Sequence, residues 1–320
     1  MTIRTVRVAF AALAASLVWM TSTGAQQNPF LGQWNLIGTG DNAASVYWLE
    51  VKEEGGQLKG TFLNRTSSPF PVHSIRVEND ELFWEPMRNV KTPDRAGAQF
   101  RAKVVGDKLV GSATIGERTV TFEGVRPHKW APMNANAKHT FGIPVELFDG
   151  KSLEAWDVQH KSRPMNWSIA DGAMTNEKGA NNLVSKEKFK DFRIVAEYKL
   201  EPQSNSGIYL RGRYEMQVVD DFGKPADKNS HMSIYGRTPA AANASKPAGE
   251  WQTMEATVVG NKVTVVLNGQ KIHDNATLGG ITGGALDANE TEAGPIMLQG
   301  DHGKVWYRKV TVTPITRVGT

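Results

Sequence analysis

From Phe30 to Trp130 apolar and polar residues alternate in short runs. SVYWLEVKE, GQLKGTFLN, HSIRVEND, ELFWEPM, AQFRAKVVGDKLVGSATI and TVTFEGVRP each show a period of two, which puts successive side chains on opposite faces of a strand. Turn-forming pairs separate the runs at Gly55-Gly56, Asn79-Asp80 and Gly106-Asp107. The pattern predicts a small antiparallel β-meander or barrel over residues 26–130. Its opening GQWNL resembles the Gly-x-Trp start of lipocalin-like barrels. PHKWAPMNANAKHTFG then loses periodicity, and residues 131–143 are expected to be a linker.

Strand periodicity returns in residues 144–320. FRIVAEYKL sets Phe192, Ile194, Ala196, Tyr198 and Leu200 on one face. TMEATVVGNKVTVVLNGQKI reads as a hairpin turning at Gly260-Asn261, with a second tight turn at Asn268-Gly269. With no helical pattern between the strands, the expectation is an all-β protein whose second domain is an antiparallel sandwich. Two long loops, 220–250 and 274–294, interrupt it, and such loops in compact β domains are often functional.

NSGIYLRGRYEMQVVDD has the sharpest alternation. Ile208, Leu210, Tyr214, Met216 and Val218 form a core face; Tyr209, Arg211, Arg213, Glu215 and Gln217 form a polar one. Glu215 and Gln217 would lie about 7 Å apart on one face. Arg211 shares their parity unless Gly212 forms a bulge that breaks it. A guanidinium beside a carboxylate can hold an oxyanion, and the carboxylate can move a proton. The bland alternative is a wet sheet face with a cross-strand ion pair.

Composition narrows the class. At 40 % hydrophobic and 22 % charged residues, the chain fits a soluble globular protein. Arg4 and Arg7 precede an apolar run, Val8 to Met20, and the small residues Thr23-Gly24-Ala25. This predicts a cleaved signal peptide over residues 1–25 and a periplasmic or secreted protein, with an uncleaved anchor as the alternative. Removing the two arginines takes the net charge from +4 to +2, which points to neither nucleic acid nor a membrane surface. There is no cysteine, hence no disulfide and no lipid-anchored N-terminus. HExxH, Walker and GxSxG motifs are absent.

LQGDHGKVWYR supplies a second candidate cluster, Gln299, Asp301 and His302, at a strand end. His302 suits acid–base work and Asp301 could orient it; an ordinary polar turn is the alternative. Arg308 shares parity with Trp306, Val310 and Val312, which predicts a partly buried arginine needing a carboxylate, a structural role that Glu197 would share. Trp251 in KPAGEWQT could stack on a sugar or pack into the core.

ELFDGKSLEAW, NWSIADGAMT, FKDFRIVAEYKL, NSGIYLRGRYEMQV, IYG, GEWQTMEATVVGNKVTVVLNG and GPIMLQGDHGKVWYRKVTV occur in the order found in the 3-keto-disaccharide hydrolase domain family. Residues 144–315 therefore resemble that family, and the N-terminal meander lies outside the resemblance. The resemblance implies a concanavalin-like jelly roll that cleaves an oxidised, 3-keto sugar substrate by elimination and hydration. In such a reaction Glu215 or His302 would be the base and Arg211 would bind the carbonyl oxygen. Gln217 and Gln299 would bind hydroxyls, while Asn205, Tyr235 and Trp251 would line the pocket. No cofactor is evident; a divalent metal on Glu215, Asp301 and His302 could replace Arg211 as the electrophile. Gln252 and Lys309 stand where the family commonly has asparagine, a departure that could alter specificity. A noncatalytic carbohydrate-binding jelly roll is the alternative, and a barrel that takes something lipid-like is a third.

Overall fold

The computed structural model describes residues 28–43, 45–86, 98–132 and 138–317, so the expected signal segment lies outside the described residues. The first half forms a nine-stranded antiparallel sheet from Gly32–Thr39 to Arg118–Val125. The first strand pairs with the last, and the two edge strands, Phe70–Pro71 and Ser74–Glu78, are consecutive in the chain. The sheet thus curls into a barrel. Its interior is filled by Trp34, Phe62, Trp84, Phe100 and Phe122, with rings such as Trp84 and Phe100 stacked 5.0 Å apart. Asn79 and Asp80 both take positive φ, 51° and 59°, as a two-residue hairpin turn demands.

The second half is a β-sandwich of a nine-stranded and a five-stranded sheet. Core residues Ile194, Ala196 and Tyr198 of the larger sheet pack with Ile208, Leu210, Tyr214, Met216 and Val218 of the smaller. The stretch read as a linker contributes a strand, His139–Phe141, that pairs with Ile315 to Arg317 of the last strand.

NSGIYLRGRYEMQVVDD is not one strand but a hairpin, Asn205–Leu210 and Tyr214–Val219. Arg211 and Gly212, at φ 56° and 66°, make the turn. The loop is three residues long, so Leu210 pairs with Tyr214 and even-numbered residues of both arms share the core face. An odd-length turn preserves parity, which is why the hairpin imitates a single alternating strand.

The barrel docks on the sandwich. Val46, Trp48 and Leu63 pack with Ile281 and Ala288, and the Arg237 guanidinium lies 4.1 Å from the centre of the Trp48 ring. Seryl and backbone hydrogen bonds add to this: Ser68 Oγ to Asn229 Oδ1 at 2.7 Å, and Gly284 N to the Arg65 carbonyl at 2.6 Å.

Candidate active site

The outward face of the five-stranded sheet holds a cavity of about 340 Å³. Strand register builds its floor. Gln217 pairs with Gly207, and the backbone of Gln299 donates to Gly207 O at 2.9 Å. Gln159 N donates to Asn182 O at 2.9 Å, and Asn182 Nδ2 to Gln159 Oε1 at 2.8 Å. Gln159, Asn182, Gln299 and Gln217 thereby place carboxamides across four strands or strand ends of one cavity floor. Gly207 carries no side chain in this array; a Cβ there would sit 2.4 Å from Glu215 Oε1. The carboxylate occupies the space that glycine leaves.

Glu215 is only 3 % exposed. Burial pushes its carboxyl from 4.5 up to about 8, against the opposing effects of the Tyr209 hydrogen bond and the His302 charge. Tyr209 Oη lies 2.8 Å from Glu215 Oε2 and 2.9 Å from the Gly283 carbonyl. When Glu215 is protonated the phenol can turn its one proton to Gly283 and accept from the acid; when Glu215 is ionised it can donate to the carboxylate. His302 Nδ1 meets Asp301 Oδ1 at 2.6 Å, which leaves Nε2 unengaged by this pair. The hydrogen bond with Asp301 raises the imidazole above its ordinary 6.5, outweighing partial desolvation. Burial opposes the charge on Asp301, but the bond and charge of His302 together hold its carboxyl low.

Of the residues singled out from sequence, Asn205, Gln217, Tyr235, Gln299, Glu215, Asp301 and His302 all line this cavity. Two do not. Arg211 turns away into the protein: Nε donates to Lys190 O at 2.5 Å, Nη1 to Gly260 O at 2.8 Å and Nη2 to Asp191 Oδ1 at 3.2 Å. Its place in the turn, not on a strand, redirects the side chain, and it ties the hairpin to the larger sheet. Trp251 lies half-buried on the outer face of the larger sheet, with Arg308 4.5 Å and Lys199 5.1 Å from its ring centre. Arg308 does pair with Glu197, at 2.6 Å, but it is exposed because a register shift between Glu197 and Tyr198 breaks the parity that tied it to Val310.

Tyr209, Gln159, His160 and Asn182 are cavity residues that the sequence reading missed. Tyr209 shares the polar parity of Glu215 and pairs with it across the hairpin; the others come from strand ends whose pairing no local pattern reveals. Among the described residues no group of three or more His, Cys, Asp or Glu is arranged to hold a cation. Gln252 Oε1 accepts from Lys246 N at 2.9 Å, and Lys309 is exposed on the far sheet, so the two departures from the family pattern lie off the cavity.

The sequence pattern of the 3-keto-alpha-glucoside-1,2-lyase-like domain matches residues 144–313, more than half of the chain, a stretch that contains the cavity floor with Glu215 and His302. The chain belongs to this family. A 3-keto-disaccharide hydrolase of Bacteroides thetaiotaomicron is 27 % identical over 158 residues, covering 38 % of this chain and 54 % of that protein. The chain thus spans about half the length of that relative. A candidate glycosyl hydrolase of Parabacteroides distasonis, known as a crystal structure, is 29 % identical with a TM-score of 0.46 and covers 58 % of this chain and 93 % of its own. A second from the same organism is 25 % identical, with a TM-score of 0.44, covering 54 % and 100 %.

Proposed function

We propose that this family member is a carbohydrate hydrolase of the lyase/hydratase type, cleaving 3-keto-glycosides. The observation that carries the reading is the pairing, in one cavity, of a buried carboxyl that titrates near 8 with an exposed His–Asp pair. A ketone at sugar carbon 3 acidifies the hydrogen on carbon 2. His302, oriented by Asp301, takes that proton as base, and the C2–H electrons form the C1=C2 bond as the C1–O bond breaks. Glu215, protonated below about pH 8, gives its proton to the departing oxygen. Water then adds to carbon 1, losing a proton to the Glu215 carboxylate while His302 returns its own to carbon 2. Both groups are restored and the net change is hydrolysis. Carboxamides of Gln217 and Gln299 are the donors at hand for the carbon 3 oxygen as it gains charge, and Gln299 Oε1 is buried without a partner among the described residues.

The carbohydrate-binding alternative loses support from the cavity's lining, which holds two tyrosines but no tryptophan platform. The decisive experiment incubates the protein with 3-keto-trehalose and a panel of 3-keto-glucosides, following free sugar and an enone intermediate with and without a chelator. Turnover with a transient enone is expected, unaffected by the chelator. A panel left intact, with the sugars merely bound, would return the protein to the binding class.

A further inference from the structure

We propose that the barrel loop Asn64 to Ser68 is the aglycone-side wall of the cavity, and that Arg65 there selects 3-keto-glycosides whose leaving group carries a carboxylate; the substrate class rests on the function proposed above. Val46, Arg65 and Thr66 line the same cavity as Glu215 and His302, although they lie outside the family's domain. The loop is built for this position. Asn64 Oδ1 accepts from Thr66 N at 3.0 Å and Ser67 Oγ at 2.8 Å, and the Arg65 carbonyl is held by Gly284 N. The seam tolerates no bulk: a Cβ on Gly283 would come 2.6 Å from the Ser67 carbonyl, and one on Gly236 2.7 Å from Ser68 Cβ. With the reacting ring on the sheet floor, the barrel side meets whatever is attached to it.

Charge identifies that attachment. Among the described residues Arg65 is the only arginine or lysine on the cavity wall. It is exposed, and no carboxylate pairs with it among the described residues. Asp301 is engaged by His302 Nδ1 at 2.6 Å and Glu215 by Tyr209 Oη at 2.8 Å, and neither pairs with Arg65. The wall therefore presents an unmatched guanidinium, whose planar fork fits a carboxylate bidentately. The test compares 4-carboxybenzyl and 4-carbamoylbenzyl glucosides, whose methylene insulates the leaving oxygen from the substituent. The unoxidised pair is measured by calorimetry and the 3-keto pair by kcat/KM, in wild type, Arg65→Gln and Arg65→Lys. The carboxylate should be preferred by about tenfold in both formats at low salt, the ratio collapsing toward one in Arg65→Gln and largely surviving in Arg65→Lys. Equal binding of the two unoxidised ligands, or a preference that persists in a folded Arg65→Gln protein, would overturn the assignment of Arg65. Carboxylate preference without turnover of any 3-keto compound would uphold Arg65 and overturn the proposed reaction instead.

Discussion

Each sheet of the sandwich turns one polar face outward, and the two faces have opposite fates. On the larger sheet, Glu197 pairs with Arg308 beside Trp251, at side-chain exposures of 26 % and 47 %. On the smaller sheet, Glu215 and Gln217 belong to the same kind of alternating strand but are 3 % and 4 % exposed. Loops 220–250 and 274–294 and the docked barrel cover the second face and leave the first to solvent. Water screens the Glu197 pair, so it contributes little. Loss of water gives Glu215 a carboxyl that holds its proton at neutral pH. What separates a decorated surface from a site here is the cover, not the strand.

The largest test of that contrast removes the proton-moving groups. Glu215→Gln and His302→Ala should each lower kcat/KM on a 3-keto-glucoside by about 10²- to 10⁴-fold, with folding retained by circular dichroism. Full activity in either folded variant would break the assignment. Gly207→Ala should cost nearly as much, because its methyl would displace the Glu215 carboxyl by meeting Oε1; a crystal structure of the variant would show the shift.

Stability separates Arg211 from the site. Arg211→Met removes the buried bonds to Lys190 O, Gly260 O and Asp191 Oδ1, although Asp191 keeps its bond from Gly260 N, and should destabilise by about 3–5 kcal/mol in urea unfolding. KM of the remaining folded protein should stay near wild type; a large KM rise with unchanged stability would reinstate Arg211 as a substrate ligand.

Smaller effects concern pH. The rate should rise as His302 loses its proton and fall as Glu215 loses its own near pH 8. Asp301→Asn removes the carboxylate whose bond and charge raise His302 and should move the acid limb to lower pH. Tyr209→Phe removes the bond that lowers Glu215 and should move the alkaline limb higher. Because the folded Glu215 carboxyl is raised from 4.5 to about 8, the native state binds the extra proton between those values. Its contribution to stability is greatest in acid, declines as pH rises through that window and is level above it. Glu215→Gln should flatten this slope in chemical denaturation. Smallest of all, Glu197→Gln should change unfolding free energy by less than about 1 kcal/mol and leave kcat/KM untouched.

By itself the sequence determined the all-β class, the sandwich strands and part of the cavity floor. Period-two alternation is a local property, and Glu215, Gln217, Gln299, Asp301 and His302 follow from strand parity and strand ends. The ordered family motifs then singled out this face. Tertiary structure alone decided the rest. Two residues of positive φ turned one apparent strand into a hairpin and sent Arg211 inward, where alternation had placed it beside Glu215. A bulge reversed the expected parity of Arg308. Pairing between distant strands brought Gln159 and Asn182 to the floor, and docking of the barrel added Arg65 to the wall. Burial depends on what covers a face, and loops and a docked barrel contributed by other parts of the chain leave no trace in the strand's own alternation.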